Sequence, residues 1–127
     1  MTHTALDQLK TLTTVVADSS DLDAIRKFRP LDATTNPSLI TAAAEQPESK
    51  ELIEDAYYQA KEEGYSNDEL IERTIDILTV KFGVEILKLI EGRVSTEVDA
   101  ALSYDTEATI KKAHELCELY KLSLIHI

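Results

Sequence analysis

Residues 32–40, with the sequence DATTNPSLI, constrain the fold of this chain more than any other segment. The first half alternates in polarity as a short strand does, and Pro37 then takes the first position of a predicted helix, where its missing N–H costs nothing. Asn36 stands where such a helix is capped. A polar side chain between the carboxyl end of a strand and a helix is where α/β enzymes place their chemistry, although a capped junction without chemistry has the same pattern.

The alternation of strand and helix patterns recurs along the chain. A helix is predicted over residues 1–12, and three strands are predicted at residues 15–18, around Ala33 and at residues 94–98. This order, with extra helices after the second strand, favours a parallel α/β fold over a helical bundle. The other helices are predicted from Leu22 to before Pro30, from Pro37 to before Pro47, and over residues 48–62, 67–90 and 105–120. Their predicted apolar stripes include Phe28, Tyr57, Ile71, Ile75, Ile110 and Cys117.

The charge balance limits the partners of the chain. It has 24 Asp and Glu against 13 Lys and Arg, a formal net charge of −11, so its surface repels nucleic-acid backbones and anionic lipids. We therefore expect neither nucleic acid nor a membrane as a partner. No apolar run approaches the roughly 20 residues that cross a bilayer, and no signal-peptide pattern opens the chain, so we expect a cytoplasmic protein.

The residues that commonly bind metals predict no metal site. His3, His114 and His126 are far apart in sequence, and no zinc-ligand spacing occurs. Cys117 is the single cysteine, which excludes an intramolecular disulfide and fits a reducing compartment.

Polar residues near the carboxyl ends of the three predicted strands predict a shared site. Side chains two residues apart in a strand lie on the same face. A barrel gathers such side chains from separate strands into one pocket at its top. The pairs that share a face are Val16 with Asp18, Thr34 with Asn36, and Ser95 with Glu97.

Three segments resemble, in order, motifs of the transaldolase family. Residues 13–18 (TTVVAD) resemble its first strand, residues 32–40 its first signature, and residues 92–107 (GRVSTEVDAALSYDTE) its third strand. The resemblance runs from about Thr11 to about Tyr120 without large gaps. It implies the amino-terminal part of a (β/α)8 TIM-barrel enzyme that works through a lysine Schiff base, without a metal or an organic cofactor.

The length of the chain fits only part of such a barrel. A complete barrel needs at least about 200 residues, so 127 residues allow about the first three β/α units, with extra helices and a small parallel sheet. We expect residues 1–121 to be the amino-terminal part of a transaldolase-like barrel. Residues 122–127 (LSLIHI) match one reading frame of a common transposase sequencing adapter and are interpreted as a non-native tail. A short native strand is the alternative.

The resemblance assigns roles to three residues. Asp18 is expected to be the acid/base carboxylate that takes the proton of the substrate hydroxyl as the carbon–carbon bond breaks. Asn36 is expected to hydrogen-bond substrate hydroxyls, and Glu97 to shuttle protons through a water as the Schiff base forms and breaks down. Each has a structural alternative, a helix cap for the first two and an exposed edge position for Glu97. The supporting motif residues are Thr34, Thr35 and Ser95.

The family's Schiff-base lysine belongs to a fourth-strand motif, and no lysine of this chain lies in such a motif. The complete protein is expected to transfer a dihydroxyacetone unit between sugar phosphates in the non-oxidative pentose phosphate pathway, converting sedoheptulose 7-phosphate and glyceraldehyde 3-phosphate to erythrose 4-phosphate and fructose 6-phosphate. A homodimer is one assembly it could form, and the chain by itself is expected to be inactive. The alternatives are a related sugar-phosphate aldolase and a noncatalytic acidic helical interaction module.

Overall fold

The computed structural model describes residues 4–124. Short 3₁₀ turns at Pro47–Ser49 and Ala100–Leu102 precede the fourth and the sixth helix. The main elements, in chain order, are α1 (Ala5–Leu12), β1 (Val16–Asp18), α2 (Leu22–Phe28), β2 (Asp32–Thr34), α3 (Pro37–Ala44), α4 (Lys50–Glu62), α5 (Asn67–Leu87), β3 (Val94–Ser95) and α6 (Thr106–Leu124).

The three strands form a parallel sheet in the order β1-β2-β3. Backbone hydrogen bonds extend the pairing beyond the strand ends, from Leu31 N to Val15 O at 2.9 Å and from Thr35 N to Ser95 O at 3.1 Å. The α/β class and the small parallel sheet are therefore confirmed. How far the barrel extends stays a prediction.

One face of the sheet packs against helices. Ala33 of β2 is fully buried and packs with Ile25 of α2 and Ile86 of α5. On the opposite face Val16 is 49% exposed, and Asp18 is also exposed. The sheet thus has one apolar, covered face and one open face that carries polar side chains.

A larger core forms where α4, α5 and α6 meet. Ala56 and Ala60 of α4 are fully buried, and such small side chains let neighbouring helices approach closely. Phe82 of α5 and Leu116 and Leu119 of α6 belong to the same cluster, to which α3 also contributes. Among the helices of residues 4–124, none combines the length and the apolarity that a bilayer crossing requires.

Caps explain where several helices begin and end. Asn36 Oδ1 accepts the N–H of Leu39 at 3.0 Å, as predicted for the start of α3. Asp21 caps α2 in the same way, through the N–H of Ala24. α2 ends at Arg29 in the left-handed region, with φ 47°, which leaves Pro30 to lead into β2.

Several predicted boundaries were wrong, three of them at the ends of β3, α5 and α6. β3 ends at Ser95 instead of residue 98, and α5 ends at Leu87 instead of residue 90, since the chain turns there to enter β3. α6 continues to Leu124 instead of ending at residue 120, so residues 122–124 are helical and the alternative of a short strand is wrong there. Residues 125–127 of the predicted tail lie outside the described part of the chain.

The predicted apolar stripes were wrong at six exposed positions, and in α5 the length of the helix accounts for two of them. α5 has 21 residues, about 31 Å at 1.5 Å per residue, whereas the strands it packs on have three residues or fewer. Its amino-terminal half therefore passes beyond the sheet, and Ile71 and Ile75 are more than half exposed. The other exposed stripe residues are Phe28, Tyr57, Ile110 and Cys117.

Candidate active site

Asp18, Thr34 and Ser95 form one row across the carboxyl ends of the three strands. The register pairs Asp18 with Thr34 and Thr34 with Ser95, and paired residues of parallel strands point to the same face. Thr34 Oγ1 donates a hydrogen bond to Asp18 Oδ1 at 3.0 Å. This row lies on the open face of the sheet, so its polar groups are accessible.

Asn36 lies just beyond the row, at the start of α3. Its side-chain oxygen is occupied by the cap on Leu39 N, while its amide nitrogen donates no hydrogen bond within residues 4–124. One side chain can therefore serve as a helix cap and still offer two N–H donors to a ligand.

Thr35 does not join the row, because it follows Ala33 on the covered face. Its side chain is 1% exposed, and its hydroxyl oxygen has no hydrogen-bond partner among the described residues. It therefore contributes to the packing behind the site.

Glu97 follows β3 in a segment that is not a regular strand. Exposure nevertheless alternates there, because Ser95 and Glu97 are exposed whereas Thr96 and Val98 are partly buried. Glu97 makes no hydrogen bond or ion pair within residues 4–124, so neither kind of interaction joins it to Asp18 or Asn36.

The structure adds one contact beside this site that the sequence did not indicate. The hydroxyl groups of Thr96 and Tyr120 lie 2.6 Å apart, although 24 positions separate the two residues. No local pattern marks such a pair, since it depends on how α6 packs against the segment that follows β3.

Two cavities lie away from the candidate residues. One, of about 540 Å³, opens at the amino ends of the strands beside Lys10, Arg29 and Leu31. The other, of about 370 Å³, lies between α5 and α6. Asp18, Asn36 and Glu97 line neither of these cavities, because they stand on the open face of the sheet.

The lysines of residues 4–124 lie on helices or, for Lys88, directly after one. The ammonium groups of Lys81 and Lys112 face Asp55 and Asp76, at 3.7 and 2.7 Å. Within residues 4–124 no lysine lies on a strand, and no group of three or more potential ligand residues could hold a metal ion. The lysines are Lys10 on α1, Lys27 on α2, Lys50 and Lys61 on α4, Lys81 on α5, Lys88 directly after α5, and Lys111, Lys112 and Lys121 on α6.

A parallel sheet with intervening helices and a polar row at the strands' carboxyl ends is typical of β/α enzymes. Residues 15–127 match the Transaldolase/Fructose-6-phosphate aldolase family, and the chain belongs to this family.

Individual relatives agree with this assignment. The chain is 58% identical over 119 residues to a transaldolase of Prochlorococcus marinus (strain MIT 9312), 56% over 124 residues to one of Trichormus variabilis, and 56% over 119 residues to one of Sus scrofa. The alignments cover 91%, 95% and 94% of this chain but 36%, 37% and 35% of the relatives. The chain therefore spans little more than a third of their length.

Proposed function

We propose that this chain is the amino-terminal part of a transaldolase. The complete protein would transfer a dihydroxyacetone unit from sedoheptulose 7-phosphate to glyceraldehyde 3-phosphate, yielding erythrose 4-phosphate and fructose 6-phosphate. The observation that carries this proposal is the row of Asp18, Thr34 and Ser95 at the carboxyl ends of parallel strands, in a chain whose relatives are transaldolases. A cytoplasmic location and a homodimer of the complete protein belong to the same proposal.

In this proposal Asp18 is the acid/base group. A lysine outside residues 1–127 forms a Schiff base with the ketose and releases water. When the bond next to the dihydroxyacetone unit breaks, its electrons move to the iminium, and Asp18 accepts the proton of the adjoining hydroxyl. The hydrogen bond from Thr34 occupies one carboxylate oxygen of Asp18 and leaves the other for the substrate.

Asn36 and Glu97 complete the proposed site. The free amide N–H groups of Asn36 would donate to substrate hydroxyls while its oxygen keeps the cap on α3. Glu97, exposed on the side of Ser95, would pass protons through a water as the Schiff base forms and hydrolyses. Ser95 and Thr34 supply neighbouring hydroxyls, and neither metal nor organic cofactor takes part.

The chain by itself should not turn over substrate. Within residues 4–124 its lysines lie on helices or, for Lys88, directly after one, and several face carboxylates, so we expect none of them to capture a substrate held at the polar row. We expect neither transaldolase activity nor trapping of fructose 6-phosphate by borohydride on the purified 127-residue chain. Stoichiometric trapping on one of its lysines would contradict this expectation.

A hybrid protein tests the proposed function directly. Residues 1–121 would be fused to the remainder of the Prochlorococcus transaldolase, starting where the alignment places the next residue. We expect an active hybrid in which Asp18→Asn and Glu97→Gln each lower kcat by about 10²- to 10⁴-fold, as the loss of a positioned acid/base does. The matched control is Asp23→Asn, an exposed carboxylate paired with Arg26. Folded Asp18→Asn and Glu97→Gln hybrids with full activity would refute the proposal.

Two further measurements separate the remaining interpretations. The family description also names fructose-6-phosphate aldolase. A hybrid that releases free dihydroxyacetone without an acceptor aldehyde would indicate an aldolase. We interpret residues 1–121 as native and residues 122–127 as a foreign tail. The gene sequence after the Tyr120 codon tests this, because we expect a reading frame that leads into a lysine-bearing strand.

A further inference from the structure

We propose that Tyr120 is a positioning residue that holds the segment carrying Glu97 in place. This inference rests on the proposed role of Glu97. Tyr120, on α6, brings its hydroxyl oxygen to 2.6 Å from Thr96 Oγ1, directly beside the carboxylate-bearing residue.

The segment needs such an anchor because the sheet no longer holds it. The last backbone hydrogen bond of the β2–β3 ladder runs from Thr35 N to Ser95 O. Beyond it, two side chains attach the segment to the helices: Thr96 through Tyr120, and Val98 through packing against the main core. Glu97 lies between these two anchors, so they set the direction in which its exposed side chain leaves the backbone.

The position of Gly83 is explained by the same contact. A Cβ atom at residue 83 of α5 would overlap the hydroxyl oxygen of Tyr120. A glycine inside a helix is less stable than an alanine would be, because glycine loses more backbone freedom on folding. The molecule tolerates this cost at a place where the absent side chain lets the Tyr120 ring reach Thr96.

The protonation state of Tyr120 suits this role. Burial raises the pKa of the phenol, and the hydrogen bond with Thr96 offsets only part of that rise. The hydroxyl therefore keeps its proton at neutral pH, and the two hydroxyls can share one donor and one acceptor.

Nuclear magnetic resonance of the 127-residue chain tests the proposal through a readout that needs no catalysis. In the parent chain we expect the backbone N–H order parameters of residues 96–98 to be close to the rigid value of about 0.85, and Tyr120→Phe to lower them below about 0.6. The ¹³C signal of the Glu97 carboxyl group should shift in the same variant. Tyr104→Phe is the control, since Tyr104 is fully exposed and makes no side-chain hydrogen bond within residues 4–124.

A second pair of variants separates positioning from general packing. Thr96→Val should loosen residues 96–98 as Tyr120→Phe does, and Thr96→Ser, which keeps the hydroxyl, should restore them. The two Thr96 variants also test the proposal if the Tyr120→Phe chain does not fold. The proposal is overturned if the segment keeps its order in a folded Tyr120→Phe or Thr96→Val chain, or if Thr96→Ser behaves like Thr96→Val. These results are independent of the kinetics of the hybrid, so a failure here is distinct from a failure of the proposed function.

Discussion

The hydroxyl of Thr34 donates to the carboxylate of Asp18 across the β1–β2 ladder, at 3.0 Å. The two residues are 16 positions apart and meet because the parallel register places them side by side. Because the pair stands on the open face of the sheet, its hydrogen bond contributes little to folding and mainly orients the carboxylate.

Replacing Thr34 by Val should therefore separate orientation from stability. We expect the free energy of unfolding of the chain to change by less than about 0.5 kcal/mol, as for other exposed positions. In the hybrid enzyme kcat should fall about tenfold, because Asp18 loses the donor that orients it. Urea unfolding and steady-state kinetics measure the two effects. Thr34→Ser serves as the control that keeps the hydroxyl, and equal kcat values for Val and Ser would contradict the expectation.

The two proposed tasks of Asn36 can be separated by substitution. Asn36→Ala removes the cap on Leu39 N and should lower the free energy of unfolding by about 1 kcal/mol. Asn36→Asp keeps a capping oxygen, so it should fold as stably as the parent chain, yet it lacks the amide donors. In the hybrid it should raise KM for the ketose. An unchanged free energy of unfolding in Asn36→Ala would show that the cap does not stabilise the chain.

Gly92 cannot carry a side chain without disturbing the entry to β3. A Cβ at this position would lie 2.5 Å from the carbonyl oxygen of Leu31 and would also overlap the carboxylate of Asp32. We expect Gly92→Ala to destabilise the chain by about 1–3 kcal/mol, as overpacking usually does. Adding Asp32→Ala should recover only part of the loss, since the backbone carbonyl remains. Full recovery in the double variant, measured by urea unfolding, would show that Asp32 is the sole obstacle.

The ion pair of Lys112 with Asp76 should make stability sensitive to alkaline pH. Burial by itself would lower the pKa of Lys112, but the hydrogen bond with Asp76 and the charges of Asp76 and Glu115 outweigh it, so the pKa lies above its ordinary value of 10.5. The stabilising contribution is therefore complete below pH 10.5 and is lost as the pH rises through the folded-state pKa. The free energy of unfolding, measured by urea at several pH values between about 8 and 12, should therefore fall as the pH rises.

A variant comparison assigns that slope to Lys112. Lys112→Met should lower the free energy of unfolding at neutral pH by about 1–2 kcal/mol and flatten its decline at alkaline pH. Lys111→Met is the control, because its ammonium group is largely exposed and lies 3.9 Å from Glu115. The residual alkaline slope should come from Tyr120 and Lys121, whose raised pKa values act in the same direction. An identical slope in Lys112→Met and the parent chain would contradict this account.

Much of the fold, and the placement of some candidate residues on it, could be predicted from short segments. The junction at Asn36 and Pro37 specifies a strand, a cap and a helix through contacts within four residues, and α3 begins there as predicted. The two-residue repeat of Asp18 with Val16 predicted which side chains share a face, and the observed register agrees with it. These predictions succeeded because the interactions behind them are local.

Other features could not be predicted because they depend on neighbours distant in the chain. Ile71 and Ile75 continue the apolar stripe of α5 by sequence, but the length of the helix carries them past the sheet into solvent. Residues 94–98 alternate in exposure as a strand does, but their backbone pairs with β2 only as far as Ser95.

The amino-acid sequence by itself determined the strand–helix order, the helix cap at Asn36 and the family of the protein, since these follow from residue patterns and local hydrogen bonds. Only the tertiary structure decided that Thr34 binds Asp18, that one sheet face stays open, and that Tyr120 reaches Thr96 beside Gly83. Those contacts join residues far apart in the chain, and their geometry exists only once the helices and strands have packed together.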